Sequence, residues 1–336
     1  MSGNVQTIIR NGELENGLEF ISAGLAPYAD VYERIFRQVD VIDEKGDYAI
    51  LNGGFGSEVD AHDYLRSPGA SYREIAVNYT NQTGWRLNDI GLAAKTDKRQ
   101  IRVAGGGSVR RLDLQQDTVN LMALDLAIGR ASIGLGLLVA ATLTNTAAMT
   151  ATQFDDPATD VLAVVDAQIA LFEAQEGISP NKGCCRIDVA RALARHAQLN
   201  EHWSRTQRSM GRIVGPMNKA ALEVFLADLW GVDEFVVINA RSNTANAGQT
   251  EAIALMWADS LVLYYDQPTM SPRTPQASLV RYQGVEDGAA ATRGRFYAGE
   301  IREWEDAYSI FNAQSYDEQY AVPRVGLARL LTDCLA

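Results

Sequence analysis

The longest regular pattern in the chain runs from Asp117 to Met149. Leu121, Leu124, Ile128, Leu135, Leu137 and Leu138 recur there at helical spacing, and no proline intervenes. Asp117 or Thr118 can cap the N-terminus, because a short polar side chain accepts an otherwise orphan backbone N–H. Gly129, Gly134 and Gly136 each oppose the helix by about 1 kcal/mol relative to Ala. Two arrangements accommodate them: a continuous helix with another backbone packed closely there, or a broken helix with a hinge near Gly134.

Upstream, Met1 to Pro27 has few large apolar residues and carries Gly3, Gly12, Gly17 and Gly24, so it reads as an extended arm that must lean on another surface. Tyr28 to Arg37 predicts one short helix. From Val39 the period shortens, and Val39, Val41, Ile50 and Leu51 around Asp-Glu-Lys-Gly-Asp predict strand, turn, strand. Asn52 to Pro68 is irregular and polar; Ser71 to Gly84 is extended again, with Tyr72, Ile75, Val77 and Tyr79 spaced as on a strand. Val39 to Gly84 therefore forms a long hairpin or loop with too little apolar content to fold alone. A connection of that length is either disordered or functional, and its Tyr and Val content favours an ordered loop docked on a neighbour. Leu92 to Arg111 continues as loop and strand.

Beyond Asp155-Asp156-Pro157 the pattern becomes alternating α/β. Thr159 to Glu176 predicts an amphipathic helix stopped by Gly177 and a Ser-Pro-Asn turn. A strand over Cys184 to Ile187, a helix over Asp188 to Ala197 and a helix over Asn218 to Leu229, stopped at Gly231, follow. Phe235 to Ile238 and Ser260 to Tyr265 are buried strands. Pro268, Pro272 and Pro275 mark a boundary. Ala277 to Ala336 then returns to strand-like alternation, with Trp304, Tyr308, Phe311, Tyr316 and Tyr320 as sheet or interface aromatics. No repeat of solenoid or propeller period is present.

The 336 residues suffice for about two domains. The net charge of −12 opposes tight, unassisted nucleic-acid binding, which needs clustered cations. Adjacent Cys184 and Cys185 with a lone Cys334 do not make a secreted disulfide framework. The first thirty or so residues lack a signal-peptide pattern. The continuous apolar run Ile133 to Ala141 is well short of the roughly 20 residues a membrane span needs, so no membrane is expected.

Motifs for chemistry are scarce. His62, His196 and His202 have no metal-site spacing. Ala104-Gly105-Gly106-Gly107-Ser108 is followed by Val109-Arg110-Arg111 without the Lys of a phosphate loop, and reads as a flexible turn. A dinucleotide fingerprint and a Gly-x-Ser-x-Gly nucleophile motif are both absent. Asp155 with Asp156 and Glu300 with Glu303 read as solvated carboxylates, and Cys184-Cys185 as packing on a buried strand. Arg110, Arg111, Arg205, Arg208 and Arg212 are the densest cations. Arg205 to Arg212 is either a loop tip meeting acidic partners or a solvated turn. No catalytic, cofactor-binding or metal-ligating residue is nominated, no cofactor is expected, and the chain reads as non-enzymatic.

The order of arm, long loop, strut helix, α/β lobe and returning sheet resembles the major capsid protein of tailed bacteriophages, the Hong-Kong-ninety-seven-type shell fold. Three stretches carry the resemblance. Phe36-Arg37-Gln38-Val39 through Lys45-Gly46-Asp47-Tyr48-Ala49-Ile50, Arg66-Ser67-Pro68-Gly69, Ser71-Tyr72 and Tyr79 to Trp85-Arg86-Leu87-Asn88-Asp89 is similar to the family's extended loop and return strand. Leu112 to Met149 is similar to its spine helix. Ile178-Ser179-Pro180-Asn181 and Asp188 to His196 are similar to its Pro-Asn turn and following helix. Leu229-Trp230-Gly231-Val232, Val236-Val237, Asn243-Thr244-Ala245 and Ala258 to Tyr265 continue the lobe.

The resemblance implies an α+β fold with an N-terminal arm at 1–38 and an extended loop at 39–91. A peripheral β-sheet domain with the spine helix would occupy 92–155 and 266–336, its sheet built from Leu92–Leu112 and Pro275–Ala336. An α/β axial domain would occupy 156–265. It further implies a virion protein, made in the host cytoplasm, that self-assembles into pentamers and hexamers of an icosahedral head. That head would enclose double-stranded DNA contacted only weakly. A portal, a scaffolding protein that is separate or already removed, and a decoration protein are its candidate partners. Some members cross-link through a loop Lys; Lys45 is the only Lys in this loop and nothing marks its partner, so cross-linking is not expected. An encapsulin-like compartment shell shares the implied fold. A hydrolase using carboxylates such as Asp155 and Asp156 in a cleft is the alternative from a different class.

Overall fold

The computed structural model describes residues 25, 27–52, 78–97, 108–140, 145–209, 218–245, 250, 252–267, 278–284, 295–304 and 307–336. A π-helical turn, Asp30–Ile35, buries Val31, Tyr32 and Ile35. β1 (Arg37–Val41) follows, then β2 (Lys45–Asn52), β3 (Asn78–Arg86), β4 (Asn88–Asp97) and the long helix α1 (Ser108–Val139). β5 (Thr146–Ala148) leads to α2 (Val161–Glu176), β6 (Lys182–Arg186), α3 (Ile187–Arg195), α4 (Ala197–Ser209), α5 (Lys219–Trp230) and β7 (Glu234–Ile238). A small hairpin, β8 (Arg241–Asn243) and β9 (Ile253–Leu255), precedes β10 (Leu261–Tyr264). β11 (Val280–Gly284), β12 (Arg295–Trp304), β13 (Ala307–Ala321) and β14 (Ala328–Thr332) complete the order.

Among the described residues these strands form two five-stranded sheets and two hairpins. One sheet runs β5-β14-β10-β6-β7 and is the floor of the α/β lobe. β10 is buried at every position, as a strand covered on both faces must be. Alternate residues serve opposite faces. Cys185, Val237, Leu261, Leu263 and Leu331 pack with α2, α3, α4 and α5; Cys184, Val236, Ile238, Val262, Tyr264 and Leu330 pack with α1 and the π-helical turn. The two adjacent cysteines therefore enter different cores. Asn181 of the Ser-Pro-Asn turn clips the sheet's end together: its side chain accepts from Asp266 N at 2.7 Å and donates to Asp266 O at 2.8 Å, while its carbonyl accepts from Asp233 N at 2.7 Å.

Local signals set the lobe's helices. Asp160 caps α2 by accepting from Ala163 N at 3.1 Å, and Asn218 caps α5 by accepting from Ala221 N at 2.8 Å. Gly177 (φ 71°) and Gly231 (φ 66°) end the same two helices in the left-handed conformation that L-residues avoid.

The second sheet runs β1-β11-β13-β12, with β4 also paired to the long β13. α1 lies against this sheet and the π-helical turn, presenting Met122, Leu126, Ala127, Ala131, Leu135 and Leu138 as one buried stripe. At 32 residues it is about 48 Å long. It is continuous through Gly134, where an added Cβ would meet the side chains of Phe36 (3.1 Å), Tyr320 (3.4 Å) and Val31 (3.4 Å). The close partner at that glycine is therefore side chain rather than backbone. Its segment Thr118–Val139 is long and apolar enough to cross a membrane. The lone cation of that segment, Arg130, is instead buried against Glu318 inside the protein.

Several elements differ from the sequence reading. α1 begins at Ser108 and ends at Val139, rather than spanning Asp117–Met149. Leu112 and Leu114 extend the apolar pattern upstream, so Arg110 and Arg111 lie on the helix. Downstream, Thr146–Ala148 is drawn into parallel pairing with β14, with Leu330 N on Asn145 O at 3.0 Å and Met149 N on Thr332 O at 2.8 Å. α4 occupies a stretch to which the sequence reading assigns no element before the loop tip or solvated turn at Arg205 to Arg212. β14, from the C-terminal stretch, joins the lobe's sheet, while β1 pairs with β11 in the other. Residues 1–24 and 26 of the expected arm and 53–77 of the expected loop lie outside the described residues.

Gly183 sits where β6 runs beside β7, and a Cβ there would lie 2.6 Å from the Phe235 ring and 3.3 Å from Leu263. Gly183→Val is expected to overpack this core and lower unfolding stability by about 1–3 kcal/mol, read as a lower urea midpoint at unchanged slope.

Candidate assembly surfaces

Among the described residues the hairpin of β2 and β3 has no third strand. Its register runs from Lys45↔Arg86 to Asn52↔Asn78, with a bulge at Gly46/Asp47. It is fastened at its base. Trp85 stacks on Tyr282 of β11 (centroids 5.2 Å apart) and Tyr48 on the same ring (6.4 Å). Trp85 Nε1 donates to Asp43 O at 3.1 Å, and Arg86 N donates to Gln319 Oε1 at 2.5 Å. The indole lies so close to Gly46 that any side chain there would collide with it. Burial pushes the Tyr282 hydroxyl well above its ordinary pKa, so it stays neutral in this stack.

Beneath lies a buried charge junction. Glu318 of β13 is fully buried and accepts from Arg130 Nε at 3.0 Å, from Arg130 Nη2, and from Arg281 Nη1 of β11 at 3.0 Å. Tyr320 donates to it at 3.2 Å. Arg281 Nη2 donates to Gln38 Oε1 at 2.7 Å. Arg130 lies between the faces of Tyr32 (4.1 Å) and Tyr316 (3.9 Å). Burial disfavours the Arg130 cation, but the hydrogen bonds and charge of Glu318 outweigh it and hold its pKa above the ordinary value. Burial and the nearby Glu318 charge both raise the Tyr320 hydroxyl. The junction ties together α1, β1, β11, β13 and the π-helical turn.

Sequence reasoning missed this cluster. Arg130 was its one available signal: with Asp125, it is the only charged residue from Thr118 to Val139. Nothing in the sequence points from it to Glu318.

The residues considered for chemistry are scattered. Cys184, Cys185 and Cys334 are buried; burial pushes the first two thiols well above their ordinary pKa and Cys334 up to about 12, so none is an activated nucleophile. His196 is buried at the end of α3, with Nε2 3.3 Å from Asp156 O; His202 is exposed on α4. His62 and the glycines 105–107 lie outside the described residues. Among the described residues no group of three or more His, Cys, Asp or Glu is placed to hold a metal ion.

Asp155 accepts from Ala336 N at 3.2 Å and Asp156 from Ala158 N at 2.9 Å, so both exposed carboxylates serve backbone amides. Asp156 and Asp160 border an open groove of about 620 Å³ beside α2, where Asp160 is occupied by the helix cap and by Gln198 (2.7 Å). Glu300 and Glu303 lie on β12. Arg205 and Arg208 are on a helix, not a loop tip; Arg212 lies outside the described residues.

Exposed apolar side chains lie on several elements: Leu121 (62%) and Ile133 on α1, Val224 (63%) on α5 and Ile253 (63%) on β9.

No protein-family model and no curated protein sequence matches the chain. Solved structures match it along most of its length. A phage-related protein from Bordetella bronchiseptica RB50 shares the fold with a TM-score of 0.59 at 16% identity, covering 94% of this chain and 96% of that one. The asymmetric unit of the bacteriophage PhiM1 mature capsid matches with a TM-score of 0.50 at 12% identity, covering 90% of this chain and 86% of that one. The chain has the α+β fold of these phage proteins, as the order of its elements implied.

Glu318→Ala would leave two buried guanidinium groups without their carboxylate. It is expected to cost about 3–5 kcal/mol in urea unfolding, against less than about 1 kcal/mol for removing the exposed Glu201 beside Arg205.

Proposed function

We propose that the chain is the major shell subunit of a phage head, a virion protein that self-assembles into pentamers and hexamers of an icosahedral capsid around double-stranded DNA. One observation carries this reading: the chain shares its fold, nearly end to end, with a subunit of a mature phage capsid. The physics of the single chain supports it. Among the described residues the hairpin is fastened at its base, and two paired strands are marginal without a further surface.

The proposed division is an arm at 1–38, an extended loop at 39–91, a peripheral domain with spine helix at 92–155 and 266–336, and an axial lobe at 156–265, with β14 contributed to the lobe's sheet. The role is structural. A portal, a scaffolding protein and a decoration protein are the further partners of such a shell, and the acidic balance suits an enclosure that holds DNA without gripping it.

Light scattering with negative-stain imaging of the purified chain tests the reading. Megadalton shells or ring-shaped capsomers are expected; a folded chain that stays monomeric at high concentration, with or without crowding agents, overturns it. Deleting residues 52–68 is expected to leave the lobe folded by near-ultraviolet circular dichroism but to abolish shells. Normal shells from that deletion would discard the loop assignment.

A further inference from the structure

The charges of the helical layer are sorted by helix. Residues 155–176, comprising α2 and the turn before it, hold Asp155, Asp156, Asp160, Asp166, Glu173 and Glu176 and no Lys or Arg. α3 and α4 hold Arg191, Arg195, Arg205 and Arg208, all exposed, in a chain whose net charge is −12. The two acids on these helices are already engaged: Asp188 pairs with Arg186, and Glu201 with Arg205 at 2.5 Å. Arg191, Arg195 and Arg208 have no ion-pair partner among the described residues. Arg191 and Arg195 are one helical turn apart, as are Arg205 and Arg208, so each pair shares a face.

The two sets meet at one end, where Gln198 Nε2 at the start of α4 donates to Asp160 at 2.7 Å and His196 Nε2 lies 3.3 Å from Asp156 O, and they diverge from there. α2 lies over the β14 side of the sheet, where Arg329 Nε donates to Gln168 at 2.7 Å and Arg324 pairs with Glu176 at 3.0 Å. α4 packs on α5 through Trp203 and Phe225, whose ring centroids are 5.5 Å apart, and α5 lies against β7 at the opposite edge. One chain thus carries two unlike, charge-complementary faces. A head-to-tail ring needs just such a pair, whereas a two-fold dimer needs one self-complementary patch.

We propose that the arginine face of α3 and α4 in one copy docks on the acidic face of α2 in the next copy. This contact rests on the shell reading and names the surfaces that bring copies together. Opposite charge there steers encounter and sets register between molecules that their net charge would otherwise keep apart.

Charge reversal of the full chain tests it. Arg191→Glu, Arg195→Glu and Arg208→Glu together, and separately Asp166→Lys with Glu173→Lys, put like charges face to face in every contact. Each set is expected to raise the concentration needed for rings or shells by at least about tenfold, seen by sedimentation velocity. All five changes in one chain restore opposite charges across the contact and are expected to restore assembly. That rescue also separates a lost contact from a lost fold, which circular dichroism of each variant checks independently. Wild-type-like assembly by either single-face set, or no rescue by the combined chain, overturns the contact while leaving the shell reading intact. If the arginine changes spare assembly but abolish salt-sensitive binding to double-stranded DNA, the face serves nucleic acid and the contact is likewise overturned. A wild-type chain that never assembles overturns both.

Discussion

The fold turns on a carboxylate placed where water cannot reach it. Glu318 has no exposed surface, and Arg130 and Arg281 beside it are almost as deeply buried. Removing an ion from water costs several kcal/mol even after relaxation, and two cations around one anion leave an unbalanced charge. The structure meets that cost with geometry: both guanidinium groups bond the same carboxylate, Tyr320 adds a third donor, and tyrosine faces sandwich Arg130. Such a cluster contributes little net stability compared with apolar packing of the same volume. It contributes specificity, because a shift of α1 along the sheet by one turn would strand the buried Arg130 and leave Glu318 with Arg281 alone. The long helix is thereby held in one register against the sheet.

A second network joins the π-helical turn to the lobe. Arg34 reaches Asp30 (3.2 Å), Glu223 (3.3 Å) and Glu234 (2.9 Å); Lys182 continues from Glu234 (3.3 Å) to Asp266 (3.1 Å), which also meets Arg37 (3.4 Å). Burial lowers the Arg34 pKa, but its carboxylate partners more than compensate and keep it charged. Partly exposed pairs like these are individually weak. Their value lies in position, since they bridge the segment before β1 to α5, β6 and β7, while Tyr264 donates to Ile35 O at 3.2 Å. Helix, sheet and lobe are thus linked through the same short N-terminal turn.

What the sequence disclosed follows from the range of each interaction. α2 matches its sequence reading to within two residues because the features that bound it, the Asp160 cap at its start and the Gly177 stop at its end, act on their own helix ends. The cysteines were legible as packing because β6 is a run of buried residues. α4 was not legible: its inner face is Leu199, Trp203 and Gln207, one aliphatic, one aromatic and one amide, too mixed to register as an apolar stripe. The C-terminal limit of α1 is decided by β14, about 180 residues away in sequence, which competes for the Thr146–Ala148 backbone. The ion junction is equally non-local, Arg130 and Glu318 being 188 residues apart in sequence. Local capping is written in a few neighbouring residues; pairing partners across a fold are not.

The hairpin shows how this rigidity would serve the proposed assembly. Its eight-residue strand β2 spans about 26 Å, yet its described anchoring is concentrated near the base, where Tyr48 and Trp85 meet Tyr282. Tyr282 sits on β11, whose neighbour Arg281 enters the Glu318 junction. Adjacent residues of one strand point to opposite faces, so β11 holds the hairpin with one face and the spine helix with the other. The direction in which the hairpin leaves the sheet is therefore fixed by the same strand that fixes the helix. In a shell, where each copy meets its neighbours at set angles, a projecting segment fits only if its root cannot turn. Conformational freedom lost at that root while the chain folds does not have to be lost again when copies associate.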